Sequence, residues 1–261
     1  MKKLKLYWSR SKPNFGDCLS PIICEMLSRR PIVYAGKREC DLVALGSLLD
    51  RFRESWFHPK VHIWGTGFIE KVSPRRTRFH YHALRGRHSA GLLKGCETEV
   101  FGDPGLLADR IWPELKKSKK KYHIGIIPHY EDRELSSVGV IADKFRKVTV
   151  INAFDDVKTV IATIAACEFV FSSSLHGLVV SDAFGVPNAW MKLSDKVCGN
   201  NFKFYDYYSA FDIPLQKVKP FTINAMLSLK DKDVEVLKAK YERPSLHVMK
   251  EKLVGSFPFS N

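Results

Sequence analysis

Apolar and polar residues follow one another along this chain in a repeating order. Short apolar runs at 4–8, 42–45, 61–64, 100–101, 124–127, 148–151, 169–171 and 189–191 have the length and β-branched or aromatic make-up of strands. Residues 79–83 alternate in the same manner. Between these runs apolar positions recur at helical spacing over 18–29, 89–94 and 157–166, and the tail from about 230 to 253 is helical in pattern. Strands alternating with helices predict parallel sheets with helices on both faces. The strongest break is 113–121, where ELKKSKKK brings lysines without apolar period. A linker there divides the chain into a domain at 1–115, a second at 122–230 and a helical tail at 231–261. No internal repeat is visible in the letters.

The stretch SSSLHGLVVSDAFGVP at 172–187 sits where a buried strand gives way to a helix, which Gly185 and Pro187 then close. His176 falls on the first helical turn. In an open α/β sheet ligands bind outside the carboxyl ends of the strands, and helix starts attract anions. Position alone suggests a site at His176, beside Ser172, Ser173 and Ser174. A second strand-to-helix junction carries Asn14, Gly16 and Asp17. Asp17 is either the N-cap of the following helix or a cleft carboxylate that takes a proton from a substrate hydroxyl.

Arg85 and Arg87 follow the strand at 79–83 and suit a doubly charged small acid, since a guanidinium fork binds carboxylate or phosphate at two points. The plain alternative is a solvated basic turn. Asp103, in FGDPG, reads as a capped turn that reaches the cleft rim, and His129 ends the strand at 124–127. The run NFKFYDYYSAF mixes Lys203 with aromatic residues including Tyr207; it suits sugar packing, base stacking or a core loop. His80 and His82 have metal-like spacing but no obvious further ligand, and Asp231-Lys232-Asp233 is better explained as a helix cap. A phosphate-binding G-x-x-x-x-G-K-[ST] loop is absent, and Gly65-Thr66-Gly67 lacks the third glycine of a dinucleotide fingerprint.

Charge narrows the partners. With 42 Lys and Arg against 28 Asp and Glu, the 261-residue chain carries a formal +14 and calls for an anionic partner. The lysine-rich start lacks the apolar stretch of a signal peptide and no run is long enough to span a bilayer, so the expected location is cytoplasmic. Six scattered cysteines without a C-x-x-C pair read as reduced thiols.

Taken together, NFGD at 14–17, LRG at 84–86, FGDPGLL at 101–107, IPH at 127–129, the SSSLHG segment and FKFYDYY at 202–208 resemble the polysaccharide pyruvyltransferases, within them the short ketal-pyruvate transferases of exopolysaccharide and capsule synthesis. The resemblance implies a GT-B-like fold, two Rossmann-like domains facing across a cleft with the last helix crossing back to the first. It implies transfer of pyruvate from phosphoenolpyruvate to two hydroxyls of one sugar, giving a cyclic ketal and phosphate, with no metal or cofactor.

By the same resemblance His176, as the acid, and Arg85 lie in the donor site, where the turn at 172–175 donates hydrogen bonds, with Ser174 at a position where much of the wider family has arginine. Lys203 or Arg87 is then the replacement cation, and Asn14, Gly16, Asp103, His129 and Tyr207 are the acceptor-side candidates. A lipid-linked acceptor would place the protein at the inner face of the plasma membrane, with no role for nucleic acid. A GT-B glycosyltransferase using a nucleotide sugar is the alternative enzyme, and a noncatalytic basic protein binding RNA or membrane the alternative class.

Overall fold

The computed structural model describes residues 2–12, 14–52 and 60–260. The first half supplies β1 (Leu4–Tyr7), β2 (Ile32–Tyr34), β3 (Leu42–Val43), β4 (His62–Trp64), β5 (Arg75–Arg76), β6 (His80–Ala83) and β7 (Leu93–Lys94). The second supplies β8 (Tyr122–Ile127), β9 (Val148–Val150), β10 (Cys167–Ser172), β11 (Asn188–Lys192) and β12 (Phe221–Thr222). Among the described residues these form two five-stranded parallel sheets, β2-β1-β3-β4-β6 and β12-β11-β10-β8-β9, while β5 pairs with β7 alone. Leaving that small pair aside and counting strands within each half, both sheets have the doubly wound order 2-1-3-4-5. That order places a ligand crevice between the first and third strands, outside their carboxyl ends.

The helices are α1 (Phe15–Ser28), α2 (Arg87–Gly91), α3 (Ala108–Ile111), α4 (Ser136–Ala142), α5 (Val157–Ala165), α6 (Leu175–Ala183), α7 (Phe202–Ser209), α8 (Ile223–Ser228), α9 (Asp231–Ala239) and α10 (Leu246–Gly255). Phe15, Leu19 and Ile23 of α1 pack in one apolar cluster with Val160, Ile161 and Ile164 of α5, Leu178 and Val179 of α6, and Leu106 and Leu107. The halves therefore share a core between their sheets, and each keeps a further cluster of its own on its outer face. Met249 and Leu253 of α10 join the shared core, where Trp64 Nε1 of β4 donates to the Leu253 carbonyl at 3.0 Å. The tail helix thus packs onto a strand of the first half.

Departures from the predicted elements are local. Residues 89–94 divide into the end of α2 and β7, because α2 is only a single turn. The run at 100–101 makes a lone bridge, Leu84 to Phe101, rather than a strand. The tail is two helices, interrupted near Pro244 and Ser245, the latter at φ 56°. The aromatic run at 202–208 is neither loop nor strand but α7. All six cysteines are free thiols. Among the described residues no helix is long and apolar enough to cross a membrane.

Candidate active site

The connections that follow β1, β3, β4, β8, β9, β10 and β11 converge on a cavity of about 110 Å³. The switch point of each sheet opens onto it. The first half contributes Asn14, Asp17 and Ser47, the second His129, Ser174, His176 and Lys203.

Asp17 reaches this cavity because another residue caps α1. Asn14 Oδ1 accepts from the Asp17 N–H at 3.1 Å, and Asn14 Nδ2 donates to Asp17 Oδ2 at 2.8 Å. Asn14, rather than Asp17, is thus the N-cap. Burial pushes the Asp17 carboxyl up to about 6, although Asn14, Arg51 and Lys203 all pull it the other way.

His176 is the second residue of α6, after the N-cap Ser174. Gly16 of α1 lies against its ring: a Cβ there would stand 1.9 Å from His176 Nδ1. Only glycine allows this approach of the two halves. Burial, reinforced by Lys203 and Arg85, pushes the imidazole down to about 3, and its sheltered Nε2 has no hydrogen-bond partner. Desolvation first, and then the two cations, keep the ring neutral.

His129 donates its backbone N–H to Ser173 Oγ at 2.8 Å and accepts at Nδ1 from the Glu131 N–H at 3.3 Å, which leaves its proton on Nε2. Burial, Lys203 and His176 push it down to about 3. Lys203 is buried on α7 with its Nζ 5.4 Å from the Phe204 ring centroid, and no carboxylate pairs with it among the described residues. Burial and then Arg85 lower it to about 8, so it is cationic at neutral pH.

Other expected site residues stand elsewhere. Ser172 Oγ donates to the Ser174 carbonyl at 2.7 Å and accepts from its N–H at 3.0 Å; Ser173 Oγ donates to Asp132 at 3.0 Å. Both hydroxyls shape the turn, and only Ser174 lines the cavity. Arg85 is fully buried and its fork is already occupied. Nε donates to Asp206 at 2.9 Å, Nη1 to Ser47 Oγ and Nη2 to the Phe68 carbonyl. Asp206 also accepts from the N–H and hydroxyl of Ser89, at 2.7 Å each. A Cβ on Gly86 would lie 1.7 Å from the Asp206 carbonyl, so glycine lets α7 dock on the first half.

Arg87 pairs with exposed Asp212 at 2.9 Å, away from the cavity. Asp103 is buried, capping the turn at Pro104–Leu107 through the Gly105 N–H at 2.9 Å; burial raises it to about 6, and it does not reach the cavity rim. Tyr207 is a core residue donating to Asp182 at 2.6 Å. His62 stacks with both His80 and His82 and shares a 2.7 Å contact with His82, a packing cluster beside Phe259. Asp233 accepts from the Lys230 N–H, capping α9. Where His123, Glu168 and Glu235 come together, the Lys238 ammonium already bonds both glutamates.

Sequence patterns passed over Ser47, Arg51 and Asp206. Ser47 had a visible signal, Gly46-Ser47 directly after an apolar run, whereas Asp206 is hidden inside an aromatic helix.

The chain is 30% identical over 177 residues to an uncharacterized protein of Acanthamoeba polyphaga mimivirus, a match covering 65% of this chain and 62% of the relative. It is 27% identical over 204 residues to the succinoglycan biosynthesis protein ExoV of Rhizobium meliloti (strain 1021), covering 77% of this chain and again 62% of the relative. The chain thus matches less than two thirds of either relative's length. The family model described as polysaccharide pyruvyl transferase matches residues 1–195, which include both switch points and His176, and the chain belongs to that family.

Proposed function

We propose that the protein transfers pyruvate from phosphoenolpyruvate to two hydroxyls of one sugar in a bacterial polysaccharide or its lipid-linked precursor. One observation carries this reading: a buried, unpaired cation, a neutral histidine and a raised carboxylate share a small cavity at the carboxyl ends of both sheets. At about 110 Å³ the cavity is far below the roughly 300–1,000 Å³ that encloses drug-sized ligands. That favours a three-carbon acid phosphate over a nucleotide sugar. Two sheets with facing switch points and a tail helix packed on the first half also support a GT-B-like arrangement, with the donor on the side of the 122–230 half.

Lys203 and the N-terminus of α6 would receive the donor's charge. Bound anion would raise His176, which both cations now hold down, so donor binding readies the acid. His176 then protonates the methylene carbon, and the cationic centre at C2 is attacked by the first hydroxyl, whose proton passes to Asp17. Phosphate leaves, and the second hydroxyl closes the ketal while its proton departs with phosphate. Arg85 stabilises the site from behind and touches it through Ser47.

The basic segment 116–121 precedes β8, at the end of that sheet opposite the cavity. A membrane bound there would face away from the reaction, so the +14 charge gives no support to docking through this patch.

Thermal unfolding tests the donor assignment: millimolar phosphoenolpyruvate should raise Tm, whereas a nucleotide sugar should not. Phosphate release should then require a sugar with a free diol. A shift with nucleotide sugars alone would replace this reading by glycosyl transfer.

A further inference from the structure

We propose that the open groove on the outer side of α7 is the subsite for the acceptor glycan. It encloses about 700 Å³ and is walled by Lys71, Arg87, His88, Leu92, Phe202 and Tyr205. Three observations lead there.

The groove opens at the same end of the molecule as the small cavity, since its walls follow β4, β6 and β11. It also shares two structural walls with that cavity. Helix α7 gives Lys203 to the cavity and its neighbour Phe202 to the groove, about 3.8 Å apart at Cα. The connection after β4 gives Ile69 to the cavity and Lys71 to the groove. A chain lying in the groove can therefore present its end to the donor, which the cavity is too small to hold together with an oligosaccharide.

The lining matches a sugar chain. Phe202 and Tyr205, both partly exposed, offer aromatic faces beside buried Leu92. Tyr205 is held edge-on against Trp190, with centroids 5.5 Å apart, and His88 lies 6.3 Å from Phe202. His88 Nε2 is sheltered and has no hydrogen-bond partner, so a polar group remains to meet a hydroxyl. Pockets of this kind, mostly apolar with a few placed polar groups, orient a ligand rather than merely attract it.

Charge selects among occupants. Asp212 neutralises Arg87, which leaves Lys71 as the unpaired cation of the groove among the described residues. A polyanion such as RNA or an anionic lipid surface calls for many free cations. One fits a neutral or weakly acidic glycan. The inference rests on the proposed pyruvyl transfer only for the reason an acceptor is needed.

The test uses the whole protein and a series of neutral β-linked hexose oligosaccharides of increasing length, with binding followed by NMR without phosphoenolpyruvate. Affinity should rise with length in the unaltered protein, and Tyr205→Ala should weaken the longer members by about tenfold. Lys71→Ala, at an exposed position, is the second variant; measured also with a carboxylated oligosaccharide of matching length, it should weaken that acidic ligand more than the neutral series. In both variants the stabilisation by phosphoenolpyruvate should persist. Equal glycan affinity in variant and parent, or no glycan binding at all, overturns the groove assignment. If glycans bind as described while phosphoenolpyruvate never stabilises the protein, the donor reading fails and the groove stands.

Discussion

Strands β1 and β8 hold the same place in their sheets, next to the edge strand, yet the connections that leave them carry opposite chemistry. After β1 come Asn14 and Asp17, and burial holds the Asp17 carboxyl near 6. After β8 comes His129, which burial and Lys203 hold near 3. In the second pair of matching connections a neutral hydroxyl, Ser47, follows β3 and a second lowered histidine, His176, follows β10. Equal strand order determines where the two crevices open, whereas the loop residues decide what each brings. Without ligand, burial makes the Asp17 carboxyl slow to ionise and the histidines slow to protonate; in the proposed reaction it is donor binding, by raising His176, that gives the second half the acid and leaves the base to the first.

The sharpest test of that division is at the point where the halves touch. His176→Ala should lower turnover on the order of 10² to 10⁴, the usual range for a positioned proton-transfer group, while Tm stays close to the parent. Gly16→Ala attacks the same contact from the first half. Its methyl would have to displace the imidazole and its own Cβ, 2.5 Å away, so it should lose comparable activity and also stability. His176→Gln keeps a hydrogen-bond donor without a titrating proton; recovery in Gln alone would turn the acid into a positioning group. If His176→Ala lowers Tm and leaves turnover intact, the cavity is scaffold and the contrast between the halves has no chemical meaning.

The same contrast explains what could be read from the letters. Strands β8 and β10 are six residues each, mostly buried, and their apolar runs stand out. In the first half the run at 42–45 marked β3, although only two of its residues pair as strand, whereas edge strand β2 has three partly exposed residues, so tertiary pairing rather than pattern defines it. The shared strand order was invisible because a repeat of topology needs no repeat of sequence. Among site residues, those next to glycine or at strand ends, Asp17, His129 and His176, were legible by position. Arg85 was legible as important and not as to role, since its partner Asp206 is 121 positions away. Arg87, Asp103 and Tyr207 share the composition of a cleft, but ion pairing, capping and core packing claim them instead.

Arg85 and Asp206 allow a second test, because this buried pair joins α7 of the second half to the first. Asp206→Ala leaves an unpaired guanidinium in the interior and should destabilise by about 3–5 kcal/mol. Replacing both with apolar residues, Arg85→Met with Asp206→Leu, should be milder than either single change in Tm. Donor affinity measured on the folded fraction should change little in the double variant. A large loss of phosphoenolpyruvate binding with Tm preserved in Arg85→Ala would return the guanidinium to the donor site.

The smallest effect lies in the pH dependence of stability, where buried histidines and buried carboxylates pull in opposite directions, with His82 of the first half, pushed down to about 4, siding with the histidines of the second. His129 and His176 titrate near 3 when folded against 6.5 in the open chain, so the unfolded state binds more protons between these values. Their contribution is present above about 6.5 and is lost as pH falls toward 3. Asp17 and Asp103 titrate near 6 when folded against 3.8, so the folded state binds more protons in between. Their contribution is greatest below 3.8 and is lost as pH rises through 6. The histidines span the wider interval and should prevail, making Tm climb from pH 4 to 6.5 with a slope blunted by the carboxylates. His129→Gln and His176→Gln should each flatten the climb, whereas Asp17→Asn should steepen it by removing the opposing carboxylate. Calorimetric scans of the four proteins across that window decide the matter: a Tm that falls as pH rises from 4 to 6 would mean that the buried carboxyls outweigh the buried histidines.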